Sequence, residues 1–176
     1  ITKSLIDEEN RGYVVSEMFV EGLLLQKLST GATEAFGSWD YLTHQLIASP
    51  FKPLKYIDRI DVFGYRFSAH YNDSPKLITK YLLIELKKGP INRAALEQTM
   101  QYVDWICTEY ASGDYSKIEA YVVGSRVIRG INEVIQEVCQ RSFILETHPV
   151  LPGKWNDLNI VCYSLDGNTS FERVEL

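Results

Sequence analysis

The residue pattern with the clearest chemical meaning is a glutamate and a lysine two positions apart, Glu85 and Lys87, at the end of an apolar run. Residues 81–87 are typical of a buried strand, so both side chains project from the same face of the sheet. A buried carboxylate and a buried ammonium each cost several kcal/mol unless another charge compensates them. A divalent cation is one such charge, and Asp61, on a preceding strand, supplies a second carboxylate for it.

These residue types predict chemistry on phosphate esters. Two carboxylates, a backbone carbonyl and waters form the oxygen shell that Mg²⁺ prefers. The ion polarises a phosphoryl oxygen and lowers the pKa of a bound water, and a lysine beside it stabilises charge in the transition state. The residues alone leave a simpler interpretation open, in which Glu85 and Lys87 form an ion pair at an exposed end of a sheet.

The charge distribution favours a polyanionic partner for the segment that contains this pattern. The chain as a whole has a net charge of −5, but residues 52–93 contain nine Lys and Arg against four Asp and Glu, a net charge of +5. Phosphate binding requires such a basic surface. The residues predicted to contact phosphates are Lys55, Arg59, Arg66, Lys88 and Arg93.

Composition and length predict one globular domain over residues 1–176. Hydrophobic residues make up 45% of the chain, no apolar run approaches the roughly 20 residues needed to span a bilayer, and no secretory signal opens the sequence. We therefore expect a cytoplasmic protein. The three cysteines and three histidines are too widely spaced for a disulfide framework or a zinc site. Because the first residue is Ile1, we expect the chain to be a fragment of a longer protein.

The periodicity of apolar residues predicts an α/β fold. Helices are predicted over residues 14–28, 38–48, 93–110 and 131–141, and strands over 55–57, 59–69, 81–87, 118–123, 143–146, 159–165 and 170–174. In the first helix, one stripe at helical spacing is predicted to face the core, formed by Val15, Met18, Phe19, Gly22 and either Leu25 or Gln26. A turn is expected at 71–75 and a hairpin turn at 166–168. The order predicts a mixed central sheet flanked by helices.

Three segments in this order resemble the PD-(D/E)XK nuclease superfamily. They are residues 59–64 (RIDVFG), 83–89 (LIELKKG) and 98–102 (QTMQY), the last of which resembles the QxxxY element of the RecB-like branch. Within the superfamily, the chain is most similar to the nuclease domain of mismatch-cleaving endonucleases, and it also resembles Shedu-type antiphage nucleases. Ile60 replaces the proline of the motif. The resemblance implies a restriction-endonuclease-like αβββαβ core.

The resemblance also implies a role for each matching residue. Asp61 and Glu85 would hold Mg²⁺ or Mn²⁺ together with the backbone carbonyl of Leu86, and Lys87 would act on the attacking water. The other residues implied in the site are Gln98 and Tyr102, one helical turn apart, and a glutamate of the first helix, either Glu17 or Glu21, with Glu21 preferred. The implied activity is a DNA endonuclease that functions in repair or in antiphage defence.

Two other functions stay open at this point. The chain can be a nucleic-acid-binding or assembly module on the nuclease fold, active only with a further domain, or a generic α/β domain whose acidic surface binds protein. Mismatched duplex, flapped DNA, phage DNA and RNA are all open as substrates, because specificity would come from loops and partner domains. We expect a homo-oligomer or another domain of the parent chain to complete the DNA-binding surface.

Overall fold

A computed structural model describes residues 16–31, 34–48, 59–68, 76–165 and 169–175. Within these residues there are three α-helices, one short 3₁₀ helix and ten strands. In chain order they are α1 (Glu17–Ser29), β1 (Tyr41–Ile47), β2 (Arg59–Phe67), β3 (Ile78–Leu86), β4 (Pro90–Ile91), α2 (Arg93–Glu109), the 3₁₀ helix Tyr115–Lys117, β5 (Ile118–Gly124), β6 (Arg126–Val127), α3 (Ile131–Val138), β7 (Arg141–Thr147), β8 (Val150–Trp155), β9 (Leu158–Ser164) and β10 (Ser170–Arg173). None of the described helices is long and apolar enough to cross a bilayer.

Six of these strands form one mixed sheet in the order β1-β2-β3-β5-β9-β10. The first three strands are antiparallel, β3, β5 and β9 are parallel, and β10 returns antiparallel to β9. The last six residues of β3 and all but one residue of β5 are buried, as expected for central strands covered on both faces. The predicted mixed sheet flanked by helices is confirmed, and the order α1-β1-β2-β3-α2-β5 is the predicted αβββαβ core.

Helices cover the two faces of this sheet. On one face, α2 contributes Leu96, Met100, Val103 and Ile106 to a core that also contains Leu83 of β3 and Val122 of β5. On the other face, α1 packs Val20, Leu24 and Leu28 against Leu82, Ile84 and Val123. Because side chains alternate along β3, Glu85 lies on the same face as Leu83, the face that α2 covers.

The predicted helix over residues 38–48 is wrong, because this segment forms the edge strand β1. Leu42 and Leu46 are four residues apart, which fits one face of a helix, but they pack against the two different cores of the sheet, so their spacing did not distinguish a helix from a strand. Pairing with β2 decides between the two, since the outer edge of β2 offers backbone groups that need partners. Asp40 strengthens this pairing: its N–H donates to the carbonyl of Tyr65 and its carboxylate accepts from the N–H of Phe67.

The predicted inward face of the first helix is also wrong. The buried residues of α1 are Val20, Leu24 and Leu28, whereas Met18 is 79% exposed. The helix contains many apolar residues around its circumference, so the sequence stripe does not identify a unique face. The face that the structure selects also points Glu17 and Glu21 towards the sheet.

Most other predicted elements agree with the structure to within a few residues. The helix α2 begins after Asn92, whose side chain accepts from the N–H of Ala95 at 3.0 Å, as the predicted cap requires. The strand β8 was not predicted, and α3 ends at Val138, three residues before the predicted end. The predicted strand over 55–57, the turn over 71–75 and the hairpin turn over 166–168 lie outside the described residues.

Candidate active site

Two carboxylates meet where β2 and β3 separate. The register that pairs Val62 with Ile84 places Asp61 opposite Glu85. The regular pairing of β2 with β3 begins at Val62. Next to it, Asp61 contacts β3 through its side chain, whose Oδ2 accepts a hydrogen bond from the N–H of Leu86 at 2.7 Å. The structure thus brings together the two residues that the sequence predicts as metal ligands, although they are 24 residues apart in the chain.

Glu85 is the most unusual residue of this group. Its side chain is only 2% exposed; Oε1 accepts from Lys87 Nζ at 2.6 Å, but Oε2 is buried and has no hydrogen-bond partner among the described residues. Burial and, to a smaller extent, the nearby charge of Asp61 raise the pKa of Glu85 to about 8, against the lowering effect of Lys87. A buried carboxylate oxygen without a partner is destabilising, so such a group calls for an explanation.

Asp61 is perturbed in the same direction. Burial raises the pKa of Asp61 to about 6, against the lowering effects of the Leu86 N–H and of Lys87. Both carboxylates would be relieved by a cation placed between them, since an opposite charge favours the ionised form. The donor set consists of oxygen atoms only, which suits Mg²⁺ or Mn²⁺.

The described residues contain no group of three or more His, Cys, Asp or Glu side chains placed to hold a metal ion. An ion at this position would therefore have two carboxylates, Asp61 and Glu85, as its side-chain ligands. Backbone oxygen and water would complete the shell, as is usual for Mg²⁺. The predicted contribution of the Leu86 carbonyl agrees with this need and stays a prediction.

Lys87 connects the carboxylates to α2. Its Nζ donates to Glu85 Oε1 and, at 3.0 Å, to Oε1 of Gln98. The amide nitrogen of Gln98 in turn donates to the hydroxyl of Tyr102 at 2.9 Å. Gln98 and Tyr102 share one face of α2 because they are four residues apart. The five residues Asp61, Glu85, Lys87, Gln98 and Tyr102 therefore form one site, with 27% of the Lys87 side chain exposed to solvent.

The helix α1 adds two glutamates at the rim of this site. Glu17 Oε2 accepts from the backbone N–H of Lys88 at 3.2 Å and so holds the chain directly after the Glu-x-Lys pair. Glu21, the preferred additional ligand from the sequence, lies beside β1, where Nδ1 of His44 is 3.3 Å from its Oε1. Both acidic residues that the sequence left as alternatives are thus near the site, in different positions.

Gln45 is a site residue that the sequence did not predict. It lies in β1, and its Nε2 is 3.4 Å from Oδ1 of Asp61 and from both carboxylate oxygens of Glu21. Its backbone has a φ of 55°, a left-handed conformation that costs a residue other than glycine about 1–2 kcal/mol. Gln45 was missed because the sequence predicted a helix over residues 38–48, and a glutamine on the surface of a helix gives no sign of a functional role.

Four of the five predicted phosphate-contacting residues lie in the part of the chain that the structure describes, and these four do not form one cluster. Arg59 begins β2, two residues before Asp61, and Lys88 directly follows Lys87. Arg93 pairs with Glu137 and, at 3.5 Å, with Glu97. Arg66 lies five residues along β2 from Asp61, with its guanidinium 4.3 Å from the centre of the Trp39 ring. Lys55 is outside the described residues, and all five contacts with phosphate stay predictions.

Comparison with known proteins yields two solved structures with partial similarity. No family model matches the chain, and no curated protein matches it. A repair endonuclease from Pyrococcus abyssi aligns over 73% of this chain and 46% of its own, with 21% identity and a TM-score of 0.41. A structure of EndoMS in apo form aligns over 70% and 43%, with 14% identity and a TM-score of 0.42. The chain therefore spans less than half of either protein, and with both TM-scores below 0.5 its function has to be argued from its side chains.

Proposed function

We propose that this chain is a metal-dependent endonuclease domain that hydrolyses phosphodiester bonds in DNA. One observation carries the proposal: Oε2 of Glu85 is buried without a partner among the described residues, opposite Asp61 and next to an ammonium group. A purely structural ion pair would leave no buried oxygen unpaired, since the unpaired group only destabilises the fold. In a carboxylate that binds a metal ion, that oxygen would be a ligand of the ion.

In the proposed mechanism, Asp61 and Glu85 hold Mg²⁺ or Mn²⁺, with the Leu86 carbonyl as a further ligand. When bound, the ion supplies Lewis-acid chemistry: it polarises a phosphoryl oxygen and lowers the pKa of a bound water. The backbone N–H of Leu86 fixes one oxygen of Asp61, so this carboxylate keeps its orientation before the ion arrives. Such preorganisation avoids a reorganisation cost during the reaction.

Lys87 acts on the substrate side of the site. Its ammonium is held between Glu85 and Gln98 and is partly exposed, so that it can donate hydrogen bonds to the attacking water and to a phosphoryl oxygen. Gln98 and Tyr102 restrict the lysine to this position through a chain of hydrogen bonds. Hydrolysis forms a bond between the water oxygen and phosphorus and breaks one phosphorus–oxygen bond of the backbone. The attacking water loses a proton to solvent, the leaving oxygen takes one up from solvent, and Lys87 stabilises the negative charge that develops on the phosphoryl oxygens.

The DNA-binding surface of the described residues is small for such an enzyme. Arg59 and Lys88 are beside the site, whereas Arg93 is already paired with acidic residues. We therefore propose that a second copy of the chain, or another domain of the parent protein, supplies further phosphate contacts. Repair or antiphage defence as the biological role stays a prediction from the resemblance.

A nicking assay tests the proposal. Supercoiled plasmid incubated with the purified protein should become nicked in Mn²⁺ or Mg²⁺ and should stay intact in EDTA. Single-stranded, mismatched and RNA substrates run in parallel identify the preferred nucleic acid. Duplex binding without cleavage under every metal condition would instead favour the alternative function, a binding or assembly module that requires another domain. A protein that neither cleaves nor binds nucleic acid would contradict both.

A further inference from the structure

Gln45 has a backbone conformation that requires an explanation. Among the described residues other than glycine, only Gln45 and Ser112 have a positive φ, 55° and 54° respectively. This region is sterically unfavourable for residues with a Cβ atom, and glutamine is not among those enriched in it. Residues held in such conformations are concentrated at functional sites, where the surrounding structure maintains them. Gln45 is within hydrogen-bond distance of Asp61, a candidate metal ligand, whereas Ser112 is in the turn that follows α2.

The conformation of Gln45 brings its amide between two carboxylates. His44 pairs with Val62 and Leu46 pairs with Ile60, so Gln45 is opposite Asp61 in the sheet. Its Nε2 is 3.4 Å from Oδ1 of Asp61 and equally far from both oxygens of Glu21. An edge strand, a central strand and a helix thus meet at a single amide group.

Asp61 is consequently held on both sides. The N–H of Leu86 donates to Oδ2 at 2.7 Å, and the amide of Gln45 approaches Oδ1. An uncharged donor suits this position, because a carboxylate there would repel both acids and an ammonium would compete with a metal cation. Within the part of the chain that the structure describes, Glu21 is connected to Asp61 through this amide and is not grouped with Asp61 and Glu85 as a third metal-holding carboxylate.

We propose that Gln45 is a positioning residue of the active site, which holds Asp61 in its ion-binding orientation and links Glu21 to it as an additional negative charge near the ion. The inference rests on the proposed function and adds a residue and a role to it. Groups that orient the ligands of a metal ion contribute to its affinity without touching it, and their loss typically weakens binding by about 10–100-fold. Gln45 and Glu21 are expected to act in this way.

The test uses Gln45→Gly, which removes the amide and is compatible with a φ of 55°. Titration calorimetry with Mn²⁺ should show a dissociation constant raised by about tenfold or more, while unfolding in EDTA shows a stability equal to or above that of the wild type. At saturating Mn²⁺ most of the cleavage rate should return, because the chemical groups remain. Ser112→Gly is the matched control: it relieves the same backbone conformation away from the site and should leave the dissociation constant unchanged.

A double-mutant cycle tests the link to Glu21. Because Gln45 acts partly through Glu21, the combined effect of Gln45→Gly and Glu21→Gln on Mn²⁺ affinity should be smaller than the product of the single effects. Should Gln45→Gly fail to fold, Gln45→Asn replaces it, since asparagine tolerates this φ and its amide is one methylene shorter; Mn²⁺ affinity should again fall. Unchanged Mn²⁺ affinity in a folded Gln45 variant, or fully multiplicative effects, would overturn the inference and leave the proposed function standing. Wild-type protein that binds no Mn²⁺ would overturn the proposed function and this inference with it.

Discussion

Two charged clusters along α2 are built in opposite ways. Near the end of the helix, Asp104 accepts from Nε and Nη2 of Arg141 at 2.7 and 2.8 Å and from the hydroxyl of Tyr115 at 2.8 Å. Each oxygen of this carboxylate has a donor, and the cluster connects α2 to β7. In the first half of the helix, Gln98 contacts Lys87, whose partner Glu85 keeps one buried oxygen without any donor among the described residues.

The difference separates a structural ion pair from a candidate catalytic one. The Asp104–Arg141 pair is bidentate, partly exposed and complete, so it needs nothing beyond the protein. The Glu85–Lys87 pair is more deeply buried and incomplete, and the pKa of Glu85 is raised by burial and by Asp61. Strongly perturbed groups with a specific charged neighbour are typical of functional sites.

The largest effect is expected on removal of the carboxylates. Asp61→Ala and Glu85→Ala should each lower the cleavage rate by at least about a thousandfold, the scale seen when a member of a catalytic group is removed. Both proteins should stay folded, since each change removes a group that is desolvated without its ion. Asp104→Ala is the counterpart in the other cluster: it should keep cleavage and lower the free energy of unfolding by about 1 kcal/mol. Equal losses of activity in the two clusters would remove the distinction.

Replacement of the lysine should separate turnover from metal binding. Lys87→Ala is expected to reduce the single-turnover rate by about 10²–10³-fold. Most of the Mn²⁺ affinity should remain, because an ammonium cannot be a metal ligand. Lys80→Ala is a matched control, since Lys80 lies on β3, the strand that Lys87 directly follows, and pairs with Asp157 at 2.6 Å. A Lys87→Ala protein that cleaves at nearly the wild-type rate would make the Glu85–Lys87 pair structural, like the Asp104–Arg141 pair.

Without metal, the protein should lose stability as the pH rises. The folded-state pKa values of Asp61 and Glu85, about 6 and about 8, are above their usual values. The folded state therefore binds protons more tightly than the unfolded state, and this contribution is complete below about pH 4 and is lost as the pH passes through 6 and 8. Denaturant unfolding in EDTA from about pH 5 to about pH 8.5 should show the decline, and saturating Mn²⁺ should reduce it.

Glu85→Gln sharpens the same experiment. The neutral amide should remove the part of the decline that occurs between about pH 6 and about pH 8 and make the metal-free variant more stable than the wild type at about pH 8.5, by on the order of a few kcal/mol. Cleavage should be abolished in the same variant, so that activity and stability change in opposite directions. If the wild type is the more stable protein at this pH, the ionised Glu85 carboxylate does not destabilise the fold, and Glu85 no longer differs from Asp104 in this respect.

The smallest effect is expected for the basic surface. Lys88→Glu with Arg93→Glu should weaken duplex binding and make affinity less dependent on salt, with a slope smaller by about 0.9 for each phosphate that the variant no longer neutralises. Lys117→Glu with Lys154→Glu makes the same change in charge near the 3₁₀ helix and β8 and serves as the control. The same affinity and slope in both double variants would mean that the net charge of residues 52–93 reflects a solvated surface.

The sequence by itself determined those parts of the site that lie within one element. Glu85 and Lys87 share a face because side chains alternate along a strand, and Gln98 and Tyr102 share a face because helical residues four apart are neighbours. The start of α2 was predictable for the same reason, since the cap at Asn92 is a local hydrogen bond. The mixed sheet flanked by helices followed from the periodicities, whereas the αβββαβ order was implied by the family resemblance, and the segment that forms β1 was wrongly predicted as a helix.

Only the tertiary structure decided how these elements face one another. Pairing with β2 made residues 41–47 a strand and brought Gln45 opposite Asp61. The packing of α1 on the sheet turned Glu21 towards the site. The unpaired oxygen of Glu85 arises because register, strand separation and helix packing together leave it without a donor among the described residues. Local backbone geometry fixes neighbours within an element, whereas contacts between elements depend on the burial of the whole core, which no short stretch of sequence specifies.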